Sequence, residues 1–398
     1  MHPASTGHPG HAHPGYPGAG HPGAGHPGAG RPSHGIGSVK PDGWAYQRAP
    51  MIIYWELTNA CGLACRHCRA TAMPDAAPGE LTTSEAIALL DDILGFAGPD
   101  EALPHVVMTG GDPLRRADLP ELVAAATARG IGVSLAPAVT PLLTRERMFW
   151  MKEIGIQAIS LSLDGSTAEY HDGVRMVPGT FDATLTALDD AADAGLSVQV
   201  NTLVTANTAA DLPAVYELLS RHTLMQWSLF FLISIGRGSE LTELSPGEAE
   251  RWLLWAAGVN KDAPFRVKTT EAMHYRRLIA QPLLRAGKSK EDLETHPMSR
   301  AFGIRDGNGI VFISNLGEVT PSGFLPISVG NVKQRSLVEL YRDDPLMRAL
   351  RDPSQFKGRC GVCEFQDWCG GSRARAYAWT GDPLESDPLC PYQPKAAK

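Results

Sequence analysis

Met51-Ile-Ile-Tyr-Trp-Glu-Leu57, followed across Thr58-Asn59-Ala60 by Cys61-Gly-Leu-Ala-Cys65-Arg-His-Cys68, is the stretch on which the fold turns. A near-continuous apolar run of this length is what a strand buried on both faces looks like. Short runs of the same kind recur at 105–109, 131–135, 156–163, 196–203 and 227–235. Between them, residues 83–96, 118–129, 144–154, 180–194 and 210–222 carry apolar side chains at three- and four-residue spacing, the period of an amphipathic helix. Thr82, Asp118 and Thr144 are placed to cap helix starts, and Gly130, Gly155 and Gly195 to end helices. Six β/α units with buried strands predict a parallel sheet covered by helices. The expected fold is α/β, a partial (β/α)6 TIM-like barrel with its functional groups at the C-terminal ends of the strands. The cysteine loop, directly after the first strand, would sit at that mouth.

The chain has seven cysteines in two places: Cys61, Cys65 and Cys68, then Cys360, Cys363, Cys369 and Cys390. Tight clusters with an odd total, behind an N-terminus without a basic segment leading into an apolar one, read as metal chemistry rather than a disulfide framework. Three thiolates suit a cubane iron-sulfur cluster that leaves one iron open to an outside ligand. Zinc stays open as an alternative, because His or Asp can complete a three-cysteine site. His67 points elsewhere if its neighbour Cys68 coordinates. The second set supplies four thiolates, enough to close either a zinc site or a cluster.

Three more features accompany the loop. Thr109-Gly-Gly-Asp112-Pro113 ends the second run, Ser160-Leu-Ser162-Leu-Asp164-Gly165 ends the fourth, and Asn201 is a polar residue within the fifth. With Cx3CxxC after the first strand, this pattern resembles the radical S-adenosylmethionine (SAM) superfamily. The resemblance implies a [4Fe-4S] cluster on Cys61, Cys65 and Cys68, with SAM on the open iron. It also implies that Gly110, Gly111 and Asp112 hold the methionine amino group, and that Ser162 and Asp164 meet the ribose and carboxylate. Asn201, and Arg175 in His171-Asp-Gly-Val-Arg175, are further candidate contacts. Asp112 stands where the family more commonly has Glu, yet the role survives: glycines let carbonyls approach an ammonium, and a nearby carboxylate can pair with it. Alternation aims residues 160, 162 and 164 to one side, with Ser162 nearer the mouth than Ser160. Ser160 and Asn201 read equally as ordinary buried hydrogen bonds, and Arg175 as a surface salt bridge.

Toward the C-terminus, Pro321-Ser-Gly-Phe-Leu-Pro326, Gly358-Arg-Cys-Gly-Val-Cys363, Cys369-Gly-Gly-Ser-Arg-Ala-Arg-Ala-Tyr377 and Pro388-Leu-Cys390-Pro-Tyr392 resemble a SPASM-type or shortened twitch domain. Among such proteins the chain is most similar to the alternative haem-synthesis decarboxylases and the related maturase of the denitrification haem. The resemblance spans about residues 48–394. It implies an auxiliary [4Fe-4S] cluster on Cys360, Cys363, Cys369 and Cys390. Ser322 stands where full SPASM domains commonly place a cysteine, which argues for one auxiliary cluster rather than two.

The organisation reads as a disordered His/Gly/Pro-rich tail over 1–45, a radical SAM core over 46–240, a helical bridge over 241–300 and a small α+β iron-sulfur module over 301–398. Within the bridge, Ser245-Pro-Gly-Glu248 begins a helix and Trp252, Leu253, Leu254 and Trp255 supply its apolar face. Residues 302–320 form a hairpin with Asn315-Leu-Gly-Glu at its turn.

Of the 398 residues, 43% are hydrophobic and 20% charged, ample for a large core. Arg31 and Lys40 are the only charged residues of the first 40, so the remaining 358 carry 34 basic and 43 acidic side chains, a net −9. That balance argues against nucleic acid and anionic membrane as partners, and no apolar run approaches the roughly 20 residues of a membrane span. A cytoplasmic protein is expected. The seven histidines of the tail suit nickel, zinc or copper, and also fit a solvated extension.

The expected function is a radical SAM oxidoreductase that reductively cleaves SAM to a 5'-deoxyadenosyl radical and abstracts hydrogen from a tetrapyrrole propionate or acetate. An electron donor such as flavodoxin or ferredoxin would serve it. A SPASM-type maturase acting on a ribosomally made peptide is the alternative. A non-catalytic metal-handling protein would leave Gly110-Gly-Asp112 and Ser162-Leu-Asp164 without use. Lys268, His274, Arg276 and Arg277 would meet substrate carboxylates, or else form the solvated basic face of a helix.

Overall fold

The structure is a computed structural model, and it describes residues 44–98, 101–295 and 302–395. The tail and its histidines lie outside the described residues. Seven parallel strands follow the chain: β1 Ile52–Glu56, β2 His105–Thr109, β3 Val133–Leu135, β4 Ala158–Ser162, β5 Ser197–Val204, β6 Gln226–Phe231 and β7 Arg266–Thr270. The helices between them are α1 Thr83–Ile93, α2 Leu119–Ala128, α3 Arg145–Glu153, α4 Ala168–Arg175, α5 Thr180–Asp193, α6 Leu212–Leu219 and α7 Pro246–Val259. The sheet does not close, and within it β1 to β7 lie side by side in chain order. Ile53, Trp55 and Leu57 pack under the helices in the main core, while Ile52 belongs to a separate cluster with Tyr46 and Val107. Two faces of one strand therefore bury different cores, as the two-residue period requires.

Local signals explain the boundaries. Thr82 accepts from the Glu85 amide and Glu85 returns the bond, a complete capping box. Thr144 and Ser245 cap α3 and α7 in the same way, by accepting from an amide three residues on. Asp118 occupies the cap position of α2 but does not cap with its side chain. Its carboxylate instead takes Arg116 at 2.6 Å and the Thr83 hydroxyl at 2.7 Å, because an ion pair and a hydroxyl outcompete a single amide. Gly130, Gly155 and Gly195 follow their helices at φ 74°, 99° and 69°, the left-handed region that glycine enters freely.

Residues 241–300 depart from the helical bridge. Helices α7, α8 Tyr275–Arg285 and α9 Lys290–Glu294 are present, but β7 lies among them and pairs in parallel with β6. Val267 is the one apolar side chain of Arg266-Val-Lys-Thr-Thr270, so its polar neighbours hide the strand from a search for apolar runs. Leu254 is 53% exposed, off the apolar face that Leu253 anchors.

The hairpin after residue 302 forms β8 Ile310–Ile313 and β9 Glu318–Thr320, with the turn at Gly317, φ 88°. Strand β8 also pairs in parallel with β1, and β9 carries β10 Gly330–Asn331, so this segment extends the barrel sheet itself. Asn315 at the turn donates to Glu80, whose same oxygen accepts from Thr58 and Asn59. The hairpin is thereby tied to the stem of the cysteine loop. Helices α10 Leu337–Asp343, α11 Pro345–Arg351, α12 Gly358–Gly361 and α13 Arg373–Thr380 complete the described residues.

Candidate active site

The cysteine loop leaves β1 and is fixed by backbone bonds: the Cys61 amide donates to the Met73 carbonyl at 2.7 Å, and the Arg66 amide to that of Val174 at 2.9 Å. Its sulfurs accept from the protein, Cys61 from the Leu63 amide and Cys68 from the Ala72 amide, both at 3.4 Å, and Cys65 from Arg175 at 3.7 Å. Three segments meet with their backbones almost touching. A Cβ on Gly111 would lie 2.3 Å from the Ala60 carbonyl oxygen, and one on Gly236 would lie 2.7 Å from that of Cys68. Gly110, at φ 154°, would overlap the Thr58 carbonyl. Glycine is required at these points because no side chain fits.

These segments frame a hollow of about 1230 Å³ of atom-free space that Cys61, Cys65 and Cys68 line together. Gly110, Gly111, Ser160, Ser162, Asp164, Arg175 and Asn201 line it as well. Asp112 does not. It is fully buried, its carboxylate accepts from Leu114, Ala138 and Thr140, and burial pushes that carboxyl upward. It holds the strand-end turn that presents the glycines. Arg175 and Asp164 are joined at 2.6 Å, and the Leu203 amide donates to the other Asp164 oxygen. Burial alone would raise the Asp164 carboxyl, yet Arg175 and the neighbouring histidines hold it below its ordinary value. Asn201 accepts from Gln199 at 2.7 Å.

Sequence reasoning missed part of the wall. His67 lines the hollow instead of turning away, because strand alternation does not govern a loop. Burial, opposed by Asp164 and reinforced by Arg175 and Arg237, lowers its ring to about 4, so it is neutral at pH 7. Arg237, in the turn after β6, and Phe230, Ile233 and Phe324 line it as well. Gly236-Arg-Gly238 was the available signal, a glycine-flanked cation just past a strand end.

The basic stretch 268–277 is sorted by the structure. Arg276 donates to the Ile304 and Trp368 carbonyls, and Arg277 to Glu250 and Gln281. His274 is fully buried. These three are neither a solvated helix face nor lining of the hollow. Lys268 lies on β7 opposite Ser228, and burial lowers its ammonium to about 8.

Cys360, Cys363, Cys369 and Cys390 line a second hollow of about 430 Å³. All seven cysteines are unbridged. Burial pushes Cys369 to about 12 and Cys390 to about 11, so these thiols ionise only beside a strong positive charge of the kind a metal supplies. Arg373 donates to the Cys360 sulfur at 3.5 Å. No three His, Cys, Asp or Glu side chains among the described residues converge on a single-ion site, so the fit of a metal rests on these donor sets.

The backbone matches that of Streptococcus suis SuiB bound to S-adenosylmethionine with a TM-score of 0.65 at 15% identity, over 87% of this chain and 78% of that one, a likeness of fold. The chain is 31% identical over 354 residues to the Mycofactocin maturase MftC of Mycobacterium tuberculosis, spanning 86% of this chain and 83% of that relative. It is 37% identical over 351 residues to a Methanosarcina barkeri protein named AdoMet-dependent heme synthase, spanning 88% of this chain and 99% of that one. Residues 55–219 match the radical SAM superfamily. An identity of 37% held over almost all of a relative, on a chain whose three-cysteine loop and glycine pair open on one hollow, shows that the protein belongs to the radical SAM superfamily and carries its [4Fe-4S] and SAM chemistry.

Proposed function

We propose that this radical SAM enzyme acts on the propionate or acetate side chains of a tetrapyrrole in haem-type biosynthesis. The observation that carries the reading is one hollow lined by the three cysteines and the glycine pair together with Phe230, Phe324 and the cation of Arg237. Such a lining takes a flat apolar body with carboxylates at its edge. The resemblance to the haem synthase of Methanosarcina barkeri supports it.

Cys61, Cys65 and Cys68 would hold the cluster, and Gly110, Gly111, Ser162, Asp164, Arg175 and Asn201 would meet SAM. When bound, cluster and SAM together supply one electron to the sulfonium and release the 5'-deoxyadenosyl radical that takes a hydrogen atom from substrate. The glycine carbonyls orient an ammonium. Arg175, held by Asp164, presents its guanidinium beside Cys65, and the apolar wall excludes water from the reacting carbon. A propionate that loses one hydrogen atom, one electron and CO2 becomes a vinyl group, so the chemistry needs a one-electron acceptor. Cys360, Cys363, Cys369 and Cys390 are the residues we assign to an auxiliary [4Fe-4S] cluster with that capacity. A flavodoxin or ferredoxin would deliver the initiating electron.

Anaerobic reconstitution is expected to load about eight irons per chain, as two cubanes; four irons with one zinc would overturn the C-terminal assignment. The functional test is anaerobic incubation with SAM, a reductant and iron coproporphyrin III, followed by chromatography of the pigments. Decarboxylated tetrapyrrole with stoichiometric 5'-deoxyadenosine is the expected result. The likeness to MftC, a maturase by name, supports the second reading, a SPASM-type maturase acting on a ribosomally made peptide, and deoxyadenosine released with an unaltered porphyrin would point there.

A further inference from the structure

We propose that Arg237 is a carboxylate receptor of the hollow, the residue that grips a substrate propionate; the identity of that occupant rests on the tetrapyrrole reading above. Arg237 follows β6 in the short turn Gly236–Glu240, and its amide donates to the Cys68 carbonyl at 3.1 Å. The backbone there is pressed against the cysteine loop, since a Cβ on Gly236 would lie 2.6 Å from the Arg69 carbonyl oxygen. The residue is thus anchored through its backbone and lines the hollow.

Three guanidinium groups line that hollow, and two are spent. Arg69 is paired with Glu56 at 2.7 Å and lies over the Phe312 ring, and Arg175 is paired with Asp164. Arg237 makes no side-chain hydrogen bond or ion pair among the described residues, and its Nε and Nη2 are buried without a partner. Of the acids that follow in sequence, Glu240 is exposed and Glu243 is taken up by Ser234 and Arg375. Buried donors left unmade are costly, so native proteins rarely keep them except where a ligand completes them.

Which ligand follows from geometry. Nε and Nη2 form one edge of the guanidinium fork, and that edge can donate to both oxygens of one carboxylate side-on. Its surroundings supply the rest of the recognition. Phe230 and Phe324, with ring centroids 6.4 Å apart, and Ile233 line the same hollow, ready for an apolar body attached to the carboxylate. The elements expected to meet SAM lie on β2, β4, β5 and α4, so the β6 side of the hollow is left for substrate.

The test is equilibrium binding of iron coproporphyrin III and of its tetramethyl ester to the reconstituted enzyme under anaerobic conditions, followed by the porphyrin absorption band. Wild type is expected to prefer the free acid. R237Q should lose about 10- to 100-fold in affinity for the acid, the worth of a bidentate charged contact, and bind acid and ester alike. R237K, which keeps the charge without the fork, should recover part of the loss. SAM affinity, measured separately, marks the other source of a carboxylate, and a loss falling on SAM rather than porphyrin would overturn the assignment. So would a shifted midpoint potential of the N-terminal cluster with porphyrin affinity intact, which would make Arg237 only a countercharge. Wild type binding neither compound would overturn the tetrapyrrole reading itself, whereas wild type and R237Q binding the acid equally would overturn Arg237 alone.

Discussion

Cys65→Ala is expected to reduce reductive SAM cleavage to background while the C-terminal site still loads about four irons. Cys65 is the middle of three sulfurs on one hollow and the one nearest the Arg175–Asp164 pair, through its 3.7 Å contact with Arg175. A cubane with an open iron needs three protein thiolates, and among the described residues the hollow offers no other thiol. The loop itself should persist, because Cys61 and Arg66 hold it through backbone bonds that the substitution leaves intact. The measurement is 5'-deoxyadenosine after chemical reduction, with iron content and thermal unfolding run on the same sample. Wild-type amounts of deoxyadenosine from a folded, half-loaded variant would exclude the assignment of this loop.

Much of this arrangement is legible in the sequence because its elements announce themselves locally. The strand before Cys61 is a nearly unbroken apolar run, and Thr82, Thr144 and Ser245 cap through their own side chains. Ser160, Ser162 and Asp164 face one hollow because residues two apart share a strand face. What escaped depends on partners distant in the chain. β7 has a single apolar residue, and its strand character comes from pairing with β6. The attachment of β8 to β1 is a contact across more than 250 residues that no local pattern encodes. Asp112 carries the right residue type in the right motif, yet three donors from its own turn and from residues 138 and 140 draw its carboxylate away from the hollow. Arg237 is chemically informative only because its buried Nε and Nη2 have no hydrogen-bond partner, which a sequence does not display.

The two cysteine sites meet through Arg375, and its removal is the largest stability loss we expect. Its side chain is wholly buried on α13, three residues past Ser372 and six past Cys369. Nε pairs with Glu243 at 3.1 Å, and Nη1 lies 3.6 Å from Asp387. Nη1 also donates to the Glu271 carbonyl at 2.6 Å, and Nη2 to that of Leu232 at 2.9 Å. Glu271 sits at φ 58°, a left-handed conformation that a non-glycine residue holds only when its surroundings fix it. Arg375→Met would therefore strand two buried carboxylates and release a strained turn at once. Breaking a buried pair by removing one partner costs about 3–5 kcal/mol, since the remaining charge stays uncompensated. Arg375→Lys should recover only part, because an ammonium cannot reach carboxylates and carbonyls in four directions as a planar fork does. Denaturant titration of the reconstituted protein measures both. A methionine variant within about 1 kcal/mol of wild type would mean that Glu243 and Asp387 find water or protons at little cost. Because Leu232 lines the hollow and Asp387 lies in the second cysteine site, the same substitution should loosen SAM binding and iron retention together. Cys65→Ala, which touches one site only, should leave the C-terminal iron in place, and that contrast separates a shared scaffold from a shared ligand.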